Sequence, residues 1–159
     1  MTKLNLGCAR KHKKGYLNID IQEPCDLKHD LRTPLPFDDS SVDEIYSEDA
    51  IYLFSMQEWR QLKREMARVL KPGGKMEIFC DDFEYTAANF LACKDERLKW
   101  GYQLLCIFSG QGNEFDYVKN AFTYDKLVSD LKEEGMEGFK RGSEPEYVGW
   151  IHLTCYKKS

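Results

Sequence analysis

The sequence lacks the features that mark a membrane-spanning, disulfide-bonded or metal-binding protein. No apolar run approaches the ~18 residues of a membrane span, and we expect no secretory signal peptide before Leu4. The six cysteines include no C-x-x-C pair and lie mostly inside apolar runs. They therefore predict buried, reduced thiols in a cytoplasmic protein. The three histidines, His12, His29 and His152, have no spacing typical of a metal site, so we predict no bound metal.

The chain also lacks an excess of basic residues, internal repeats and low-complexity segments. Its formal net charge is −4, which argues against general affinity for nucleic acid. Its length of 159 residues predicts one domain that buries roughly two thirds of its unfolded surface. We therefore expect a single domain at residues 1–159, and nothing in the sequence indicates its oligomeric state.

The most informative feature present is a pair of short apolar runs near the N-terminus. Residues 3–6 lead into the small-residue turn Gly7-Cys8-Ala9, and a second run ends at the lone acid Asp20. At the edge of an α/β sheet, small residues let the backbone approach a ligand, and an acid can accept hydrogen bonds from both ribose hydroxyls. The pattern indicates an adenosine-binding strand edge. The alternative is a plain strand, turn and strand, in which Asp20 only starts a loop.

One helix is predicted with clear boundaries. Ser55 and Glu58 form a capping-box pattern, and an apolar stripe follows them. Residues 71–74, Lys-Pro-Gly-Gly, should end this helix, because Pro cannot continue it and Gly supplies a left-handed cap. Strands are predicted on either side, at 42–47 and 75–80. The three elements therefore form a right-handed parallel crossover.

The second half of the chain is richer in aromatic residues. Two aromatic-rich helices are predicted between residues 83 and 122, interrupted by a flexible turn at 109–113. This segment, 83–122, is partly core, and its excess of aromatic side chains suits a lid or an acceptor-binding insertion. A helix capped by Thr123 and ended by Gly135 follows. Residues 136–140 and 148–156 are predicted to close the sheet as an antiparallel hairpin.

With these elements in order, the chain resembles the small class I S-adenosylmethionine-dependent methyltransferases of the type 11-like group. Five segments carry the resemblance, in family-like order and spacing: LNLGCA at 4–9, Asp20, DLRTPLPF at 30–37, SVDEIYS at 41–47 and RVLKPGG at 68–74. The resemblance implies an α/β, Rossmann-like fold. It has a mainly parallel seven-stranded sheet, an antiparallel C-terminal strand and helices on both faces. It also implies S-adenosylmethionine as cofactor and methyl transfer to an unidentified acceptor.

The resemblance carries the family's binding positions onto this chain. Gly7 would let the methionine part of the cofactor lie against the backbone, and Asp20 would bind the ribose diol. Asp30 and the Leu31 amide would meet the adenine, although Asp30 could instead cap the turn before Pro34. The cofactor-binding residues predicted in this way are Leu6, Gly7, Cys8, Ala9, Asp20, Ile21, Asp30, Leu31, Ser47 and Glu48.

The sequence departs from the family pattern in three places. Ala9 stands where the family usually has a second glycine, and its methyl group is expected to be tolerated if φ stays negative. The connection 7–15 between the first two strands is too short for a crossover helix, so that helix should shrink to a turn or be lost. Residues 47–52, after the fourth strand, include no histidine.

Catalysis by such a fold depends mainly on positioning. Methyl transfer from a sulfonium is an in-line displacement, so the protein aligns the reactants and excludes water, and a base is needed only if the acceptor must lose a proton. The walls of an acceptor pocket should come from residues 48–52, 81–85 and the segment 83–122. Asp49 is the predicted catalytic residue. The wider set of candidates at predicted strand ends is Glu48, Asp49, Tyr52, Asp81 and Asp82.

The basic loop 10–14 has two interpretations. It is either a solvated turn or a patch beside the cofactor that attracts a phosphate- or carboxylate-bearing acceptor. We expect a small-molecule acceptor, for which an anionic group is one option, and no membrane partner. Two rival functions stay open. One is a cofactor-binding protein without catalysis, suggested by Ala9 and the absent histidine. The other is a nucleotide- or dinucleotide-binding domain, which Asp20 disfavours because it would repel a phosphorylated ribose.

Overall fold

The computed structural model describes residues 1–109, 111–142 and 148–159, and these contain one seven-stranded sheet. The strands are β1 (Lys3–Leu6), β2 (Leu17–Asp20), β3 (Leu27–Lys28), β4 (Val42–Glu48), β5 (Leu70–Asp81), β6 (Met136–Arg141) and β7 (Trp150–Lys157). Their order across the sheet is β3-β2-β1-β4-β5-β7-β6. The first five strands pair in parallel, and β7 lies antiparallel to both β5 and β6. The predicted Rossmann-like sheet with an antiparallel C-terminal strand is confirmed.

Helices surround this sheet. They are α1 (Met56–Val69), α2 (Phe83–Ala92), α3 (Glu96–Leu98), α4 (Leu104–Phe108) and α5 (Tyr124–Glu133). A 3-10 turn at Ile51–Leu53 precedes α1, and a π-helical turn at Lys99–Gln103 joins α3 to α4. Within the described ranges, no helix is long and apolar enough to cross a membrane.

The start of α1 follows its sequence signal. Ser55 Oγ accepts a hydrogen bond from the Glu58 amide at 3.3 Å, and Glu58 Oε2 accepts one from the Ser55 amide at 2.7 Å, so the predicted capping box is confirmed. The apolar face of α1 is buried together with α5. Trp59 donates its indole N–H to Asp130 Oδ2 at 2.9 Å and meets the Phe122 ring edge-on. This pair of helices covers the core-facing side of the sheet, where alternate strand residues are fully buried.

The end of α1 differs from the prediction. The helix stops at Val69, and its cap Leu70 has extended dihedrals (φ −65°, ψ 137°) rather than left-handed ones. Leu70 already pairs with Val42, and regular pairing resumes only at Lys75. Residues between them form a bulge in which Gly73 has a φ of +73°. The predicted glycine cap is therefore wrong, because the left-handed glycine lies in this bulge of β5, four residues after the helix ends.

The short connection between β1 and β2 contains no helix, as its length predicted. It folds back over the carboxyl end of the sheet instead. The amides of Gly7 and Cys8 both donate to the Ile19 carbonyl, at 2.9 and 3.2 Å, and Asn5 Nδ2 donates to the Lys11 carbonyl at 2.9 Å. The loop is thereby fixed between two strand ends, which places its basic residues beside the end of β4.

The second half of the chain matches its prediction in most elements. Thr123 Oγ1 accepts a hydrogen bond from the Lys126 amide at 3.2 Å and caps α5, and Gly135 follows the helix with a φ of +77°. The predicted antiparallel pair is confirmed as β6 and β7. Part of its predicted connection, residues 143–147, lies outside the described residues, as does Gly110 of the predicted turn at 109–113.

Candidate functional site

The turn after β1 has no space for a side chain at Gly7. Gly7 has a φ of +70°, and a Cβ at this position would lie 2.4 Å from the Cβ of Ala50. Ala9 has a φ of +42°, so the negative φ that was the stated condition for tolerating its methyl group is not met. The left-handed conformation turns the Ala9 amide toward Asp20, which stabilises an arrangement that an L residue seldom adopts.

Asp20 lies at the end of β2 and keeps acceptor capacity. Its Oδ2 accepts the Ala9 amide at 2.8 Å, and its Oδ1 accepts the Gln22 amide at 2.8 Å. An ionised carboxylate offers about four lone-pair sites, so roughly two stay available. The amides fix the carboxylate in position, and the remaining sites suit two vicinal hydroxyl groups.

Asp30 is held by its neighbour Arg32. The Arg32 guanidinium donates through Nε and Nη2 at 2.8 Å each, and the Arg32 amide donates to Asp30 Oδ1 at 3.0 Å. Hydrogen bonds from this guanidinium lower the pKa of the Asp30 carboxyl against the opposing effect of partial burial. The guanidinium carbon lies 5.9 Å from the centre of the Phe115 ring. Asp30 therefore does stabilise its own turn, and it also lines the cavity described next.

These groups surround a cavity of about 290 Å³, called here the first cavity. Seven of the residues predicted to act at the site line it: Gly7, Ala9, Asp20, Ile21, Asp30, Leu31 and Asp49. Four other predicted residues do not appear in its wall: Leu6, Cys8, Ser47 and Glu48. Of these, Leu6, Cys8 and Ser47 are buried, and Ser47 Oγ donates to the Leu6 carbonyl at 3.1 Å. That bond ties β4 to β1 beneath the cavity.

The other residues that line the first cavity were not predicted to bind the cofactor, although Ala50 and the lining residues between 113 and 119 fall in the ranges 48–52 and 83–122 predicted as walls of an acceptor pocket. These residues are Gln22, Arg32, Ala50, Leu53, Phe54, Asn113, Phe115, Asp116 and Lys119. Ala50 follows β4 directly, so its place after a strand end was an available signal. The loop from Asn113 to Lys119 reaches the cavity from a distant part of the chain. It is anchored by the Lys119 amide, which donates to the Tyr52 carbonyl at 2.9 Å, and no local pattern announces that contact.

The end of β4 carries an ion-pair cluster with the basic loop. Lys11 Nζ lies 2.7 Å from Glu48 Oε1 and 2.7 Å from Asp49 Oδ2. Burial opposes the charge on Lys11, but the hydrogen bonds to the two carboxylates outweigh it and raise its pKa. Asp49 itself is left-handed, with a φ of +56°. Lys13 lies 3.8 Å from the centre of the Tyr46 ring. The basic loop is thus engaged within the molecule through these two lysines.

A larger cavity, called here the second cavity, lies on the other side of this strand end. Its volume is about 600 Å³, and its walls come from the 3-10 turn, the end of β5 and the segment 83–122. Tyr52 and Asp81 face it, and Lys119 lines both cavities. Burial first, and the nearby Asp49 second, raise the pKa of Asp81 to about 6. Burial and the same two carboxylates also raise the pKa of Tyr52.

The polar groups and the glycine turn of the first cavity fit an adenosyl group. The wall of this cavity offers a glycine turn with no space for a side chain, the Asp20 carboxylate with free lone pairs, and a second carboxylate, that of Asp30. In the described part of the chain, no group of three or more acidic, histidine or cysteine side chains could hold a metal ion.

Comparison with known proteins agrees with this geometry. The profile of a family described as "Methyltransferase domain" matches residues 4–78, a range that contains all five segments of the sequence resemblance. The resemblance to class I S-adenosylmethionine-dependent methyltransferases is confirmed. No curated protein sequence matches this chain.

Solved structures share the methyltransferase fold over nearly the whole chain. A SAM-dependent methyltransferase from Thermotoga maritima, described as a possible histamine N-methyltransferase, is 16% identical with a TM-score of 0.65, covering 99% of this chain and 82% of its own. One from Methanosarcina mazei is 18% identical with a TM-score of 0.63, covering 99% and 92%. The 1,6-didemethyltoxoflavin-N1-methyltransferase of Burkholderia thailandensis, crystallised with S-adenosylhomocysteine, is 12% identical with a TM-score of 0.63, covering 99% and 71%.

Proposed function

We propose that the protein transfers a methyl group from S-adenosylmethionine to a small-molecule acceptor. The observation that carries the proposal is the first cavity, which joins the Gly7 turn, Asp20 and Asp30 at one sheet edge of a methyltransferase fold. The cofactor supplies an activated methyl group on a sulfonium. The chain's own residues bind and orient that group and exclude water around it.

Each predicted binding residue has a proposed role consistent with its position. The backbone of Gly7 and Ala9 supports the methionine part, Asp20 accepts from the ribose hydroxyls, and Asp30 with the Leu31 amide meets the adenine. Ile21 packs beside the ribose. Residues behind the wall, namely Leu6, Cys8, Ser47 and Glu48, hold the strand ends in place. Asp49 lines the cavity next to them as a candidate base, but its carboxylate must leave Lys11 before it accepts a proton.

An active enzyme is favoured over a binding protein without catalysis. A relic would be expected to fill the space beside the methyl group with side chains. Here a second cavity of about 600 Å³ adjoins the first, with Lys119 in both walls. This space suits a small acceptor.

The six cysteines are free thiols, which supports a reducing compartment and hence the proposed cytoplasmic location.

The direct test of this function is binding followed by turnover. S-adenosylhomocysteine at about 100 times its dissociation constant should add ~2.7 kcal/mol to the free energy of unfolding, while NADPH should add nothing. Release of S-adenosylhomocysteine is then measured against a panel of amines, phenols, sugars, phosphorylated metabolites and carboxylates. A thermal shift with NADPH and none with S-adenosylhomocysteine would instead support the nucleotide-binding alternative.

A further inference from the structure

The second cavity has a mostly apolar wall. Aromatic and aliphatic side chains of the segment 83–122 form much of it, including Phe83, Ile107, Phe108, Val118 and Phe122. An apolar wall of this size selects a ligand whose scaffold is itself apolar, because burying its surface supplies most of the affinity. The few polar groups in such a wall then decide which functional group is recognised.

Most carboxylates at this edge of the sheet already have a polar partner. Asp49 is paired with Lys11 at 2.7 Å, and Asp82 is paired with Arg141 at 2.8 Å. The carboxylate of Asp81 differs from both. In residues 1–109, 111–142 and 148–159 it makes no hydrogen bond and no ion pair, and it lines the second cavity half-buried. Because burial of an unpaired carboxylate is unfavourable, such a group should attract a cation or a hydrogen-bond donor.

The two lysines in the same wall do not fill that role. Lys126 is paired with Asp130 one helical turn along α5, and Lys119 Nζ lies 4.0 Å from Glu58 Oε2. Both cations are therefore directed to carboxylates other than Asp81. The aromatic rings of the wall add a favourable surface for a positively charged group.

We propose that the second cavity binds a small amine on an apolar scaffold. The Asp81 carboxylate pairs with the ammonium group of this amine and accepts one of its protons before the methyl group is transferred. This inference rests on the proposed methyltransferase function and names the acceptor class for it. An anionic acceptor attracted by the basic loop is the competing expectation. It is less favoured because Lys11 is already bound by Glu48 and Asp49.

The proposed step balances in atoms and charge. The ammonium group gives one proton to the Asp81 carboxylate and becomes a neutral amine with a lone pair. That lone pair forms the new N–C bond to the methyl group as the C–S bond breaks, and the electron pair of the C–S bond stays on sulfur. The products are a methylated ammonium, neutral S-adenosylhomocysteine and protonated Asp81, which then releases its proton to water.

The test compares amines with neutral compounds of the same shape. Benzylamine, 2-phenylethylamine and hexylamine are titrated against benzyl alcohol, 2-phenylethanol and hexanol, using wild-type protein with and without saturating S-adenosylhomocysteine. We expect at least one amine to bind at least tenfold more tightly than its alcohol. Asp81→Asn should remove that preference, and Asp81→Glu should restore part of it. Asp125→Asn, an exposed acid beside Lys126 but outside the cavity wall, is the control of equal charge change.

The outcomes separate the two proposals. If S-adenosylhomocysteine binds but no amine exceeds its alcohol, or if Asp81→Asn keeps the preference, the amine inference is overturned and the methyltransferase function stands. If S-adenosylhomocysteine does not bind the wild-type protein, the proposed function fails, whatever the amines do. An amine preference lost in Asp81→Asn and kept in Asp125→Asn, together with amine-dependent release of S-adenosylhomocysteine, supports both.

Discussion

The Ala9 amide donates a 2.8 Å hydrogen bond to Oδ2 of Asp20, across the gap between the ends of β1 and β2. Ala9 adopts a φ of +42° in doing so. The turn and the acid are therefore one unit, in which the backbone orients the carboxylate before any ligand arrives. A second amide, from Gln22, holds the other oxygen. Such preorganisation lowers the entropy lost when a ligand binds to the carboxylate.

Replacing this acid should weaken cofactor binding while leaving the domain folded. Asp20→Ala removes a charge-assisted acceptor, which is worth roughly 1.5–3 kcal/mol and corresponds to a fall in affinity of about 10- to 100-fold. Calorimetric titration with S-adenosylhomocysteine measures the change. Asp38→Ala, an exposed acid outside the first cavity, is the matched control and should bind as the wild type does. Wild-type affinity in Asp20→Ala would show that the ribose assignment is wrong.

Gly7 should tolerate a side chain less well than Gly15. Both have positive φ, +70° and +84°, so an alanine is strained in either place. Only at Gly7 would the new Cβ meet another atom closely, at 2.4 Å from the Cβ of Ala50, whereas nothing lies within 4 Å at Gly15. Gly7→Ala should therefore lower the free energy of unfolding by about 1–3 kcal/mol more than Gly15→Ala does, which thermal unfolding of the two variants measures. Gly7→Ala should also abolish binding of S-adenosylhomocysteine. Equal losses in the two variants would contradict the close approach.

Local chemistry explains which parts of the fold and site were predictable. Ser55 and Glu58 announce the start of α1 because a capping box needs only neighbours in sequence. Asp20 was predictable for a similar reason, since an acid that ends an apolar run lies at a strand end. Seven site residues, most of them predicted from the family resemblance, line the first cavity. Their roles toward the cofactor stay predictions.

Contacts between distant segments explain what was missed. Lys11 meets Asp49 across 38 positions of sequence, and Phe115 meets Arg32 across more than 80. No spacing rule reports such pairs, because they depend on where whole strands are placed. The end of α1 was wrong for a related reason. Leu70 pairs with Val42, and this tertiary contact overrides the local preference for a glycine cap.

Asp81→Asn should stabilise the folded protein above neutral pH. The folded-state pKa of Asp81, about 6, exceeds the ordinary value of 3.8, so its ionisation lowers stability as pH rises through that interval. The charges of Asp49 and Lys11 influence the pKa of Asp81, and the charge of Asp81 in turn raises the pKa values of Tyr52, Cys80 and Tyr102.

The variant removes this ionisation. Its advantage in free energy of unfolding should reach about 1–3 kcal/mol at pH 8 and should be smaller by ~1 kcal/mol at pH 5. Thermal unfolding at the two pH values measures both. Asp82→Asn is the contrasting variant, because it loses the ion pair with Arg141 and the negative charge at the N-terminus of α2, and it should be less stable at both pH values. A destabilised Asp81→Asn at pH 8 would count against an unpartnered carboxylate.

The segment 83–122 should open more readily than the sheet. No residue of α3 or α4 is buried, and Thr86 is the one buried residue in α2, whereas Ile45 and Ile78 are fully buried. Segments with few buried contacts open locally at low free energy, and lids are drawn from them. Amide hydrogen exchange should therefore be at least about 10²-fold faster in α3 and α4 than at the two strand positions. It should slow when S-adenosylhomocysteine and an acceptor bind. Equal protection in helices and strands, unchanged by ligand, would make this segment ordinary core.

Turnover by Asp49→Asn and Asp81→Asn should identify the proton acceptor. If Asp81 takes the proton, the wild type should lose activity below pH ~6. Asp81→Asn should lower kcat/KM by about 10²-fold or more and should also remove that pH dependence. Asp49→Asn should have a smaller effect, because Asp49 lies 2.7 Å from Lys11 and is engaged before the reaction starts. Both variants should bind S-adenosylhomocysteine as the wild type does, which separates loss of chemistry from loss of cofactor. If Asp49→Asn instead has the lower kcat/KM and loses the fall in activity at low pH, the role of base would return to Asp49. That result would also leave Asp81 to pair with the acceptor without taking its proton.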